Sequence, residues 1–327
     1  MKVIYPKLNH KTVKRWFGFG ILTALLGVGS AFMFYTHQNA NTVSMRTIKR
    51  IHKAEYRPIA DLITYSPLPT RQLEQIDPFL FLNHHGYQEY AGNNNGLPFG
   101  PHPHRGMETV TFIIEGDIMH KDSEGYRSVI KAGGVQWMTA GRGLIHAEVS
   151  SEEFKREGGP LEILQLWLNL PAKHKMTAPK YIGLQAAEIP VRQLAEGVSI
   201  QHIAGAWEGE TGAITPLTDV FLGTLSLKAG SAWQTEVAEN RSIFCYVVRG
   251  KVRINGQSVA FRNLVEFGHT GTGLQLEAEE ESLLIFGHAT PFNEPVVAQG
   301  PFVMNSMQEI RQAYQDYQAG KFGVWQE

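Results

Sequence analysis

The sequence predicts an all-β protein built from two copies of one β-domain, a sandwich or barrel, followed by a single C-terminal helix. Three observations carry this. After residue 45 the chain breaks into short β-branched and aromatic runs separated by Gly, Asn, Asp and Pro. One of those runs recurs: Phe112-Ile113-Ile114-Glu115-Gly116-Asp117-Ile118 aligns with Tyr246-Val247-Val248-Arg249-Gly250-Lys251-Val252. Only the last segment has a complete set of helix signals.

The strands are expected at Thr109 to Met119, Val135 to Met138, Ile163 to Leu170, Val220 to Leu227, Ile243 to Ile254, Gly273 to Leu276 and Leu283 to Phe286. In both copies of the repeat an apolar run meets one glycine, resumes and reaches a turn, Asp122-Ser123-Glu124-Gly125 in the first and Asn255-Gly256 in the second. At the C-terminus Ser306 and Glu309 form a capping box, apolar positions continue through Tyr317, and Gly320 supplies the stop. Pro171, Pro179, Pro190, Gly209 and Gly212 interrupt the β pattern between the copies. The organisation read from this is a first barrel over residues 46–175, a second over 210–305 and a helix over 306–319.

The first forty-five residues differ in kind. A basic segment, residues 1–15, precedes an uncharged apolar stretch from Trp16 to Tyr35, long enough to cross a bilayer as a helix. The expectation is a membrane-anchored protein with an N-terminal hydrophobic helix; a start of translation at Met45 would instead make it cytoplasmic. Arg46, Lys49, Arg50 and Lys53 follow closely and nearly balance the basic residues ahead, so charge does not orient the segment.

Thirty basic and 31 acidic residues leave no net field for a polyanion, which argues against direct nucleic-acid binding. A single cysteine, Cys245, excludes an intrachain disulfide and a thiolate-rich zinc cluster, so any metal must rest on imidazole and carboxylate. Cys245 lies in an apolar run and reads as a buried, inert thiol.

The candidate chemistry sits in two short pieces of the first copy, His102-Pro103-His104 and His146-Ala147-Glu148. On an extended strand, residues i and i+2 point to one face, so each pair projects together, and neighbouring strands would converge four ligands. Three imidazoles and a carboxylate suit Fe(II), Mn, Ni, Cu or Zn and leave positions open on an octahedral ion. Glu108 lies four positions beyond His104 and, on an uninterrupted strand, faces the same way; it competes as fourth ligand, as a partner orienting an imidazole, or as a general base. His84 and His85 are adjacent, face opposite sides and read as loop-surface residues. His120 abuts a turn and reads as solvated, while Trp137 and Trp167 read as core. No histidine occurs in the second copy across residues 230–244 or near 280, so that copy is expected to act as packing partner, lid or interaction surface.

At this point the chain resembles the pirin family of the cupin superfamily. The resemblance rests on Asp77-Pro78-Phe79-Leu80, His102-Pro103-His104-Arg105-Gly106 with Glu108-Thr109-Val110, Gln136 to Gly143, His146-Ala147-Glu148, Gln165-Leu166-Trp167 and Gly300-Pro301-Phe302-Val303-Met304-Asn305. It implies a bicupin, two antiparallel β-barrels of the jelly-roll kind, whose first barrel binds iron, Fe(II) foremost, through His102, His104, His146 and Glu148, in preference to Glu108. It further implies either a quercetin 2,3-dioxygenase-like enzyme, which opens a flavonol-like phenol with dioxygen and releases carbon monoxide, or a non-catalytic, iron-dependent redox sensor that binds a protein partner. In the first case Glu148 or Glu108 would take the substrate's hydroxyl proton.

Overall fold

The structure, a computed structural model, describes residues 43–326. Each barrel pairs a seven-stranded with a four-stranded antiparallel sheet. In the first barrel the larger sheet runs Lys180–Leu184, Val135–Thr139, Met107–Glu115, Gly159–Asn169, Phe79–Tyr90, Thr64–Leu68, Glu55–Tyr56. The smaller one runs Phe99–His104, Leu144–Val149, Asp117–Asp122, Arg127–Lys131. The second barrel repeats this order strand for strand: Ile48–Lys53, Asn263–Phe267, Ser242–Arg249, Ser282–Ala289, Val220–Leu227, Val198–Ala204, Val191–Ala195, against Ala232–Glu236, Gly273–Ala278, Lys251–Ile254, Gln257–Ala260.

The repeat seen in the sequence is thus the same strand pair in each barrel, with its glycine at the corner. Gly116 and Gly250 both adopt φ of 80°, and a Cβ there would lie 2.7 Å from the Pro160 carbonyl oxygen or 2.2 Å from that of Glu281. Only glycine meets both demands. The expected strands Thr109 to Met119 and Ile243 to Ile254 are therefore two strands each.

The two larger sheets pack on each other through one shared core that joins Phe79, Val110, Phe112, Trp137 and Leu166 to Leu222, Phe244, Tyr246 and Ile285. Their strands are buried on both faces, which is why they read as continuous apolar runs without alternation. Each such side chain withdrawn from water contributes roughly 1.5–3 kcal/mol. Inside the second barrel the strands matching the two ligand pieces carry Trp233 opposite Leu276 and Thr235 opposite Leu274. Trp233 and Leu276 pack there with Trp207 and Phe286.

The boundaries differ from those expected. The opening strand Ile48–Lys53 pairs with Asn263–Phe267 and belongs to the second barrel, while Lys180–Leu184 closes the first. The first barrel's strands accordingly span 55–184, and those of the second begin again at Val191. Long-range pairing fixed these edges, and local composition does not encode it. The helix Met307–Gln318 is capped by Ser306 as expected, and a short helix, Glu152–Glu157, was not foreseen. The apolar stretch 16–35 lies outside the described residues; among those described, no helix is long and apolar enough to cross a membrane.

Candidate metal centre

The two candidate pieces are neighbouring strands of the smaller sheet in the first barrel. Phe99–His104 and Leu144–Val149 run antiparallel with His102 opposite His146, and a register shift after His146 sets Glu148 opposite Phe99. The rings of His102, His104 and His146 lie 4.4 to 5.0 Å apart between centroids, and one nitrogen of each lies within 4.8 Å of the others. Glu148 joins them: its Oε2 is 4.0 Å from His146 Nε2, about twice a metal–ligand bond of roughly 2.0–2.1 Å.

The hydrogen bonds around the cluster leave an imidazole nitrogen of each histidine free. His102 Nδ1 donates to the Gly100 carbonyl at 2.7 Å and His104 Nδ1 to that of Pro301 at 3.1 Å, which turns both Nε2 lone pairs toward the cluster. His104 Nε2 and both nitrogens of His146 are buried without a partner, a condition that native interiors avoid. Burial, with the neighbouring His102 second, lowers His104 to about 3, and burial holds His146 well below the usual range. Both rings are neutral, as metal ligation requires. Thr111 Oγ1 donates to Glu148 Oε1 at 2.7 Å, and Gln165 Nε2 donates to Glu148 Oε2. Gln165 Oε1 in turn accepts from Trp167 Nε1 at 3.1 Å. The donor set, its buried orphaned nitrogens and the orienting bonds behind it fit a single borderline ion with open positions.

The C-terminal tail holds this corner in shape. Gly106, at φ of 80°, ends the His-x-His strand, and a Cβ there would fall 2.0 Å from the Val303 carbonyl oxygen. Lys175 Nζ donates to the carbonyls of Gly106 at 2.9 Å and Val303 at 3.0 Å, and its burial brings its pKa down to about 8. Arg105 Nη1 donates to Asp316 Oδ2 at 2.8 Å, and its guanidinium lies 4.6 Å from the Phe322 ring centre. The tail that carries Pro301, which orients His104, is therefore held to the barrel at Val303, Asp316 and Phe322.

Glu108 is not brought to the cluster. The chain turns at Arg105-Gly106 between two strands, so the i+4 parity counted from His104 does not survive the corner. Glu108 shares its face with Val110 and Phe112, and its Oε1 accepts from Thr139 Oγ1 at 2.6 Å and Trp137 Nε1 at 3.1 Å. Its burial raises its pKa.

A cavity of about 260 Å³ opens beside the ligands, walled by Phe81, Phe99, Ile118, Ile163 and Trp167, with Asn83, His85, Thr111 and Gln165 among its polar groups. Its size is near the lower end for small-molecule sites, roughly 300–1,000 Å³. Trp167 stacks on Phe81 at 4.5 Å and meets His104 edge-on at 5.2 Å, so it lines the site rather than the core. Trp137 is core, as expected. His84 and His85 do face opposite sides, yet both are buried: His84 bridges Tyr246 Oη at 2.9 Å and Glu162 Oε1 at 2.8 Å between the barrels, and His85 lines the cavity. His120 is buried too, stacked on Tyr181 at 3.8 Å and bonded through Nε2 to Asp122 Oδ2 at 2.8 Å. The signal for the cavity wall was the i, i+2 spacing of Phe81, Asn83 and His85 and of Ile163, Gln165 and Trp167, hidden because the alternate positions are buried as well.

Two jelly-roll barrels in tandem, one carrying three histidines and a glutamate on adjacent strands and the other filled by Trp233 and Leu276, define a bicupin with one candidate metal centre among the described residues. Comparison places it more closely. The pirin family model matches residues 59–168, and the model of the pirin C-terminal cupin domain matches residues 223–323. Pirin-1 of Arabidopsis thaliana is 36% identical over 297 residues, 88% of this chain and 98% of that protein. A pirin-like protein of Caulobacter vibrioides is 36% identical over 259 residues, 78% of this chain and 91% of its own. The crystal structure of quercetin 2,3-dioxygenase from Acinetobacter baumannii superposes with a TM-score of 0.80 at 34% identity, covering 86% of this chain and 99% of that one. The chain belongs to the pirin family.

Proposed function

We propose that this pirin is a metal-dependent dioxygenase that opens the ring of a flavonol-like phenol. The observation that carries the reading is the cluster of His102, His104 and His146, with Glu148 4.0 Å from His146, beside an apolar, aromatic-walled cavity. The likeness to the Acinetobacter quercetin 2,3-dioxygenase supports it. Fe(II) is the ion proposed first, and the ligand set also admits Mn, Ni, Cu or Zn. Such an ion, when bound, supplies Lewis acidity to a chelating phenol and access to dioxygen chemistry.

The protein's own part is positioning and proton handling. Phe81 and Trp167, stacked on each other, supply the aromatic side of the cavity that a planar ring would meet, and Phe99 and Ile163 exclude water from the rest. Glu148 is the carboxylate at the cavity and takes the substrate's hydroxyl proton, while Gln165 and Thr111 keep it oriented. Glu108 is left as a structural acceptor for Trp137 and Thr139.

The test is aerobic incubation of iron-loaded protein with quercetin, following the flavonol absorbance and dioxygen uptake together. Loss of absorbance with stoichiometric uptake is expected. Full metal occupancy with no uptake would reject the enzyme and leave an iron-dependent regulator, whose partner capture would then change with iron oxidation state.

A further inference from the structure

His85 is a polar group at the cavity that the proposed chemistry leaves unused. It follows Phe81 and Asn83 on the strand Phe79–Tyr90, and the ladder sets Phe81, Asn83 and His85 opposite Trp167, Gln165 and Ile163. Trp167 touches His104 and Gln165 holds Glu148, so those two levels belong to the ligand set. His85 lies one level further, roughly 7 Å along the strand. That is about the reach of one aromatic ring and its hydroxyl.

The bonding of His85 fixes what it offers. Its ring is 4% exposed and packs on Phe99 at 5.2 Å. Nδ1 lies 2.9 Å from Thr64 Oγ1, and the Thr64 hydroxyl donates to the Leu62 carbonyl at 3.2 Å. Thr64 has one proton to give, so Nδ1 carries its own and Nε2 is left as an acceptor. Among the described residues no protein group takes Nε2. Burial lowers the ring to about 3, which keeps it neutral. Nε2 is not fully enclosed and keeps access to the cavity walled by Phe99, Ile118 and Ile163, so a molecule that fills the cavity and displaces its water must return the bond or leave the acceptor unpaired.

We infer that His85 Nε2 accepts a hydrogen bond from a ring hydroxyl of the substrate at the end remote from the metal ligands, so that the site selects polyhydroxylated flavonols over those whose far ring is bare. This rests on the flavonol reading above. Its test is anaerobic calorimetric titration of the full-length, Fe(II)-loaded protein with quercetin and with 3-hydroxyflavone, which keeps the chelating oxygens and lacks the ring hydroxyls. Quercetin is expected to bind more tightly by roughly five- to thirtyfold, the effect of one buried hydrogen bond. His85→Phe should erase that preference by weakening quercetin alone, and His85→Gln should retain part of it. An equal loss for both flavonols, an unchanged preference, or no binding of either by the wild type overturns the inference. Dioxygen uptake is read separately: a His85-dependent preference without turnover keeps this inference and rejects the dioxygenase, and turnover indifferent to His85→Phe does the reverse.

Discussion

Gln165→Leu is the perturbation that tests how the protein would tune the proposed metal centre without replacing a proposed ligand. The Gln165 amide donates to Glu148, and its oxygen accepts from Trp167 Nε1 at 3.1 Å. Leucine has similar volume, so the wall is conserved while both bonds vanish. Glu148 keeps only the Thr111 hydroxyl at 2.7 Å, and the Trp167 N–H loses its acceptor. A hydrogen bond to a charged group contributes about 1.5–3 kcal/mol. Loss of a residue that orients a ligand weakens metal binding by roughly 10–100-fold, about 1.4–2.7 kcal/mol, and the two figures agree. Competition with a chromophoric chelator under anaerobic conditions measures the affinity in the wild type, Gln165→Leu, Thr111→Val and the double variant. Each single change is expected to cost about tenfold or more, and the pair more than either. A change under about twofold in Gln165→Leu would refute the orienting role, because it would mean Glu148 does not share the ion with the histidines.

Three further outcomes are expected. Metal analysis of His104→Ala should show near-complete loss of the ion, whereas Glu108→Gln, which alters a carboxyl on the opposite face of its strand, should keep wild-type occupancy; the reverse result would return Glu108 to the ligand set. The metal-free protein should lose stability in mild acid. His85, His104 and His288 are lowered by burial from 6.5 to about 3, so nothing is lost above 6.5, and below it each neutral ring costs about 1.4 kcal/mol per pH unit as the unfolded chain takes up protons, down to about 3. A melting temperature flat from pH 8 to 5.5 would contradict this. Finally, we propose from the uncharged composition of residues 16–35 that the full chain sediments with membranes and resists alkaline extraction, and that a chain begun at Met45 does not; recovery of the full chain in the soluble fraction would reject the anchor.

The C-terminal tail supports the strand that carries His104. His104 points its free nitrogen at the cluster because Pro301, nearly two hundred positions later, accepts from its other one. Arg105, Lys175 and Asp316 hold that tail against the barrel through bonds that no local window of sequence contains.

By itself the sequence determined the all-β class, the duplicated β-domain, the capped C-terminal helix and the facing of the two candidate ligand pairs. Each is a local matter: a strand repeats its facing residues every second position, a helix advertises its cap, and His102 with His104 or His146 with Glu148 share a face wherever their strands lie. The tertiary structure decided what needs a partner from elsewhere in the chain. It set Ile48–Lys53 into the second barrel, turned Glu108 away at the Gly106 corner, buried His84, His85 and His120, and drew Trp167 and Gln165 to the cavity. Those positions lie on strands buried on both faces, where the apolar pattern marks burial without saying which face meets the ligand and which meets the other barrel.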